Sequence, residues 1–156
     1  PLSVTSPGFF IFQTKNTTPT AFANDASNIT YAPGKAQNKI NAVLKVPTDW
    51  IIDGVEVYEK INESKSKKRF GSDVDAGYVM QTVKLGHSVY RNVDAVATKK
   101  IEGNTDKLVY NYQYGADPSH IDAEASIKKG AKIVYMDTNN STADFHERSQ
   151  FSLRDK

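Results

Sequence analysis

The sequence predicts a mostly-β domain with long loops and one short helix near residues 118–129. Three observations carry that expectation. Apolar residues make up only 38% of the 156 residues, while Asn, Thr, Ser and Asp are abundant, a balance that suits β structure with long loops better than a helical bundle. The apolar residues fall in short, often alternating runs bounded by turn-forming residues, the pattern of strands. No heptad, fixed-period repeat or low-complexity tract is present. A chain of this length is about one domain. It can bury roughly 68–70% of its unfolded surface, enough for an independent core.

Composition also removes several function classes. There is no cysteine, which excludes disulfides, thiolate metal sites and a cysteine nucleophile. With 20 basic and 18 acidic residues the net charge is +2, giving no global reason to expect nucleic acid or an anionic membrane as partner. No apolar run approaches the roughly 18 residues of a membrane-spanning helix.

Phe9-Phe10-Ile11-Phe12 is the most apolar run and follows the turn signal Pro7-Gly8. It reads as a strand covered on both faces, or as an exposed edge that a partner strand covers. Residues 14–38 hold Pro19, Pro33-Gly34 and many Asn and Thr without a sustained period, so they read as loop, pinned by Phe22 and Tyr31. Lys39–Val46 alternates as a strand, with Ile40, Ala42, Leu44 and Val46 on one face. Trp50–Tyr58 is the next strand, and Gly54 marks a bulge or close backbone approach. The basic run Lys65–Arg69 lacks interleaved aromatics, so a solvated loop is favoured over a phosphate site. Further strands are expected at Tyr78–Val83 and Ser88–Val93.

Leu108–Tyr114 alternates and places Tyr110, Tyr112 and Tyr114 on one face. Such a row can stack a sugar or another planar ligand, but its default role is cross-strand packing. Asp117-Pro118 resembles a helix start, with Asp117 as N-cap, Ile121–Lys129 as about two turns and Gly130 as the stop. Ile133–Met136 reads as a strand that runs into Asp137-Thr138-Asn139-Asn140-Ser141-Thr142, a loop able to bond its own backbone.

No catalytic constellation stands out. Asp53, Asp75 and Asp137 are candidate carboxylates for a carbohydrate or phosphoester hydrolase, with His146 as their partner. The nucleophile elbow and the phosphate-binding glycine loops are absent. Asp137, Asn139, Ser141 and Asp144 have oxygen spacing compatible with calcium, but Thr142 and Arg148 stand where an EF-hand needs Gly and Glu. The default is a structural turn without metal. Asp137, Asn139, Asn140, Asp144 and His146, with the three tyrosines, form the candidate binding set. No cofactor is expected.

Several segments taken together resemble a known family. They are Val46–Glu56 (VPTDWIIDGVE), Asp75–Tyr78, Ser88–Arg91, Asp117–Ser126 and Asp137–Phe145. The series resembles a Bacteroidota family of envelope proteins of unknown function, secreted or lipid-anchored and often encoded beside outer-membrane β-barrels or TonB-dependent receptors. The order of parts is similar to the lamin-tail-type Ig-like fold, with Asp53-Gly54-Val55 as its D-x-V and Ser88–Arg91 as its S-x-x-R. The resemblance implies an antiparallel β-sandwich and no catalytic residue. It implies a single domain, the C-terminal part of a larger sandwich whose upstream strands would pair with Phe9–Phe12.

The resulting expectation is a non-enzymatic accessory or binding module, with the hydrolase of Asp53, Asp75 or Asp137 and His146 or a calcium-stabilised adhesion module as the alternatives. It would lie at the outer-membrane surface or in the periplasm of a Gram-negative bacterium. Its partner would be an upstream fragment of the same protein or a barrel receptor.

Overall fold

Side-chain caps, more than long apolar runs, set the elements of this chain. The computed structural model describes residues 8–82, 85–110 and 117–149. They form short strands in small sheets with a few short helices, a β-rich arrangement that is not closed into a barrel. The chain divides into two units, Phe10–Gly54 and the remainder (Pro1–Phe9 with Val55–Lys156).

β1 (Gly8–Phe12) neighbours β4 (Ile51–Glu59) in one sheet, and in the smaller unit Gln13 N–H donates to Trp50 O at 3.0 Å. The stretch expected to be loop contains a helix and a strand. Thr18 Oγ1 accepts the Ala21 N–H, Pro19 occupies the first turn, and α1 (Pro19–Asn24) follows, an N-terminus of ordinary cap chemistry. Phe22 is the buried residue of that helix, with its ring 4.9 Å from Trp50 and 6.4 Å from Phe12. Phe22 therefore pins the segment as expected, whereas Tyr31 is exposed. β2 (Ile29–Tyr31) pairs antiparallel with β3 (Ala42–Leu44), Thr30 facing Val43. The expected strand at 39–46 is thus shortened. Asn38 caps a 3₁₀ turn over Lys39–Asn41, and Ile40 is 93% exposed instead of facing a core.

In the larger unit β4 runs beside β5 (Val79–Gln81), with Val57 opposite Val79. This pair is parallel, unlike the antiparallel pairing expected throughout. A parallel pair requires a crossover of about a dozen residues or more, and the long connection 60–78 supplies it. That connection includes a 3₁₀ segment, Lys60–Lys65. The basic run after it is anchored rather than freely solvated: Lys68 Nζ lies 2.5 Å from Glu56 Oε2, and Arg69 N–H donates to Glu56 Oε1 at 2.6 Å.

β6 (Ser88–Arg91) pairs antiparallel with β7 (Phe145–Arg148), Tyr90 opposite His146. β5 approaches both strands of this second sheet.

Among the described residues four short α-helices stand where a single one was expected. α2 (Ala95–Lys100) is capped by Asp94 and α4 (Ser141–Asp144) by Asn140. α3 spans Ala123–Lys128 and is capped by Asp122, so the expected start at Asp117-Pro118 is corrected. Asp117 instead accepts the N–H groups of Val93 (3.0 Å) and Ser119 (2.8 Å), bracing a turn before the helix. The expected stop holds: Gly130 has φ +83°, Gly130 N–H donates to Ile127 O, and Ala131 N–H donates to Ser126 O. These two bonds make a Schellman closure.

The expected strand Ile133–Met136 reduces to one bridge, Val93 with Tyr135. Backbone bonds from Asp94 N–H to Val134 O and from Met136 N–H to Asn92 O make that bridge, and side chains hold the rest of the segment. Thr98 Oγ1 accepts Val134 N–H, and Asn104 Oδ1 accepts Lys132 N–H.

Among the described residues of the larger unit, Val93, Leu108, Ile121, Ala123 and Ala131 form an apolar cluster with Ala95 and Ile133 against it, and Val57, Tyr58, Val74 and Val79 are buried as well. Much of the remaining interior is polar. Glu56, Thr98 and Ser126 have no exposed surface. Among the described residues no buried side-chain nitrogen or oxygen lacks a partner, as such a low-dielectric interior requires.

Candidate functional site

The loop after Met136 and the turn at Asp75 lock into each other. Asn139 adopts φ +53°, a conformation Asn tolerates. Asn140 Oδ1 accepts Thr142 N–H and starts α4. Asp144, buried at the end of that turn, accepts the Thr138 N–H and Thr138 Oγ1, each at 2.8 Å, and the Asn140 N–H. The loop therefore bonds its own backbone.

Asp75 receives it from below. Its Oδ1 accepts N–H groups of Gly77 and Ser141 at 2.9 Å, and its Oδ2 accepts Ser141 Oγ at 2.8 Å and Glu56 N–H at 3.1 Å. Asn139 O accepts the Ala76 N–H, and Thr142 Oγ1 both accepts the Tyr78 N–H and donates to Tyr78 O. A Cβ at Gly77 would lie 2.2 Å from Asn140 Oδ1 and 2.6 Å from Thr142 N. Only glycine permits that approach.

A second cluster lies along β6 and β7. His146 is buried, with Nδ1 2.6 Å from Asn92 Oδ1 and Nε2 2.9 Å from Arg148 Nε. Arginine can only donate, so Nε2 accepts and Nδ1 carries the proton that is donated to Asn92. Burial, then the Arg148 charge, holds the imidazole below its usual pKa, so it is neutral. Arg148 is itself buried. It pairs with Glu124 Oε1 at 2.9 Å and stacks 3.6 Å from the centroid of the Tyr90 ring. Asn92 completes the cluster by donating from Nδ2 to Ala143 O and from N–H to Asp144 O.

On the other face of β7, Glu147 takes Thr82 N–H, Thr82 Oγ1 and the His87 ring. Burial raises its pKa, but these hydrogen bonds outweigh it and hold the carboxyl below its ordinary value.

The expected site residues divide accordingly. Asp75, Asp144 and His146 are buried braces and Asn140 a half-buried one, and their polar atoms hold backbone or neighbouring side chains. Of the four calcium candidates, Ser141 is bonded to Asp75 and Asp144 to its own loop. Asp137 is exposed, with Oδ1 3.8 Å from Arg91. Among the described residues no group of three or more His, Cys, Asp or Glu is placed to hold a metal ion. Asp53 belongs to the smaller unit, where its Oδ1 accepts the N–H of its own neighbour Gly54. Tyr110 is 43% exposed under Lys99 and forms a bridge with Ile121. Tyr112 and Tyr114 lie outside the described residues. What the loop turns outward is Asp137, Thr138, Asn139, Thr142 and Ala143.

The sequence gives no sign of Asn92 and Glu124, and it shows Glu147 and Arg148 only as polar neighbours of His146 in the chain. Phe145-His146-Glu147-Arg148 holds one apolar residue and then three polar ones, so no alternation announces the strand in which His146 and Arg148 face inward.

The family model described as Protein of unknown function (DUF4876) matches residues 1–152. The chain belongs to that family. Every residue of the two clusters falls inside the match, and membership in a family of unknown function is as expected from the motif series. No curated protein and no solved structure matches the chain. No helix among the described residues is long and apolar enough to cross a membrane.

Proposed function

We propose that this DUF4876 chain is a non-enzymatic accessory or binding module that docks by adding a strand to β1. The observation that carries this reading is the apolar edge. β1 stands at the end of the sheet order β1-β4-β5, and Phe9, Phe10, Ile11 and Phe12 are 48, 41, 61 and 37% exposed. Exposed apolar edges are hazards that proteins ordinarily blunt or cover, and strand addition covers one with backbone hydrogen bonds. The occupant is an upstream segment of the same protein or an outer-membrane barrel receptor. The setting is the Gram-negative envelope, at the outer-membrane surface or in the periplasm; the motif resemblance supports both. The proposed architecture is an Ig-like, lamin-tail-like sandwich, supported by the antiparallel β2–β3 and β6–β7 pairs and by the approach of β5 to the β6–β7 sheet. The braced 137–148 loop, with those at 14–38 and 59–75, would be displayed for recognition.

A hydrolase built from Asp53, Asp75 or Asp137 with His146 has less support. Both oxygens of Asp75 and both ring nitrogens of His146 already have partners. The test is native mass spectrometry of the protein from its source membrane, combined with amide exchange of the isolated chain. We expect a complex with a second chain, in which the β1 amides facing away from β4 gain protection. A lone 17.3 kDa monomer with every β1 amide slow to exchange would overturn the reading.

A further inference from the structure

The larger unit also holds a pocket that neither cluster uses. It has a volume of about 380 Å³, between the first turn of α2 and the Pro118–Ser119 corner, within the range of small-ligand sites. Local chemistry shapes it. Asp117 pins Val93 and Ser119 by their N–H groups, and Met136 N–H donates to Asn92 O. Val93, Ala95, Val96, Pro118 and Met136 form apolar walls. Val93 is 2% exposed and Val96 65%, so the pocket grades from a dry floor to a wet rim.

Two polar residues border it, and both have prior duties. Ser119 Oγ accepts the Ile121 N–H, and Asp94 Oδ1 accepts the Ala97 N–H. Among the described residues Asp94 Oδ2 takes no hydrogen bond. Asp94 is the one charged residue of the lining. An apolar cavity with a single carboxylate selects for an apolar group carrying a cation and against its anionic counterpart.

We propose that this pocket binds an apolar group bearing a primary ammonium. A free aralkylamine and a peptide N-terminus with an apolar first residue present the same chemistry. The inference is independent of strand addition at β1, so either can fail alone.

Methyl-resolved NMR titration of the whole chain tests it with four probes: phenethylamine, a Phe-led tripeptide amide, 3-phenylpropionate and 2-phenylethanol. Either amine should shift the methyls of Val93, Val96 and Met136, and bind at least about fivefold tighter than the acid or the alcohol. Tighter binding of the tripeptide assigns the site to a chain end, and tighter binding of phenethylamine to a free amine. Asp94→Asn keeps the helix cap, because Asn caps as well as Asp, and should abolish the preference while leaving the melting temperature in place. Val96→Phe, which fills the rim, should weaken all four probes. Equal binding of all four to the wild type, or no binding below about 10 mM, would overturn the proposal.

Discussion

Ser141 meets Asp75 twice, its N–H 2.9 Å from Oδ1 and its hydroxyl 2.8 Å from Oδ2. The two residues belong to segments far apart in the chain, and this contact joins them without any strand pairing. The carboxylate is 1% exposed and also serves Glu56 and Gly77. A charge buried this deeply is tolerated because four donors and the Lys68 ammonium at 3.9 Å replace its water.

Asp75→Asn should therefore destabilise the fold rather than remove an activity. Either orientation of the amide turns an NH₂ group toward existing donors, leaving buried hydrogen bonds unmade. The expected loss is about 2–4 kcal/mol, read as a lower urea midpoint at unchanged slope. An unchanged midpoint would return Asp75 to the list of functional carboxylates.

Gly77→Ala tests the same interlock from the backbone side. The new methyl would overlap Asn140 Oδ1 and the Thr142 amide, and the amide is main chain, which cannot swing away. Separation of the two loops should cost about 1–3 kcal/mol. Faster exchange of the Ser141 and Tyr78 amides would locate the loss in the interlock.

The sequence revealed what local chemistry decides. Asp and Asn as turn and cap formers, the stop at Gly130 and the self-bonded loop near Asn139 all depend on neighbours in the chain. It concealed what distant partners decide. Ile133–Met136 has the composition of a strand, yet its backbone pairs only at the Val93–Tyr135 bridge, through Asp94 N–H to Val134 O and Met136 N–H to Asn92 O, and Val134 N–H turns to Thr98 Oγ1, so no ladder extends. β7 was hidden because His146 and Arg148 face inward, against the usual assignment of polar residues to the solvent side. α1 was hidden because six residues held by one buried aromatic ring carry no periodic signal. In the site, the candidate carboxylates were visible by type. Asp144 holds donors of its own loop, as the expected turn does, but the brace role of Asp75 was not visible, since its donors Glu56 and Ser141 lie 19 and 66 positions away.

Acid should weaken the fold through His146. Its imidazole sits below the ordinary value of 6.5 in the folded chain, through burial and then Arg148. In the window below that value the unfolded chain binds a proton that the native chain refuses, so stability rises with pH there. The contribution is complete above about pH 6.5 and is lost as pH falls below it. Glu147 acts in a lower window: its folded pKa lies below 4.5, so its contribution is present above that value and fades as pH falls through the folded pKa. Urea midpoints measured from pH 8 to pH 5 should decline, and His146→Asn should flatten the difference across about pH 6.5 to 5. An identical slope in wild type and variant would mean that His146 titrates alike in the folded and the unfolded chain.

Phe22 carries the smaller unit. Among the described residues of Phe10–Gly54 it is the one fully buried apolar side chain, at 5% exposure. Its ring holds α1 against Trp50 and Phe12, while β2 and β3 expose Ile29, Tyr31, Val43 and Leu44. Truncating a buried phenylalanine costs about 3–5 kcal/mol, more than so small a unit can absorb. Phe22→Ala should therefore release the smaller unit first. Trp50 is the single tryptophan of the chain, so its emission reports on this unit alone. We expect the variant's Trp50 emission to shift red at a denaturant concentration where the β6–β7 amides are still protected from exchange. Coincident loss of both signals would instead mean that the two units unfold as one cooperative body.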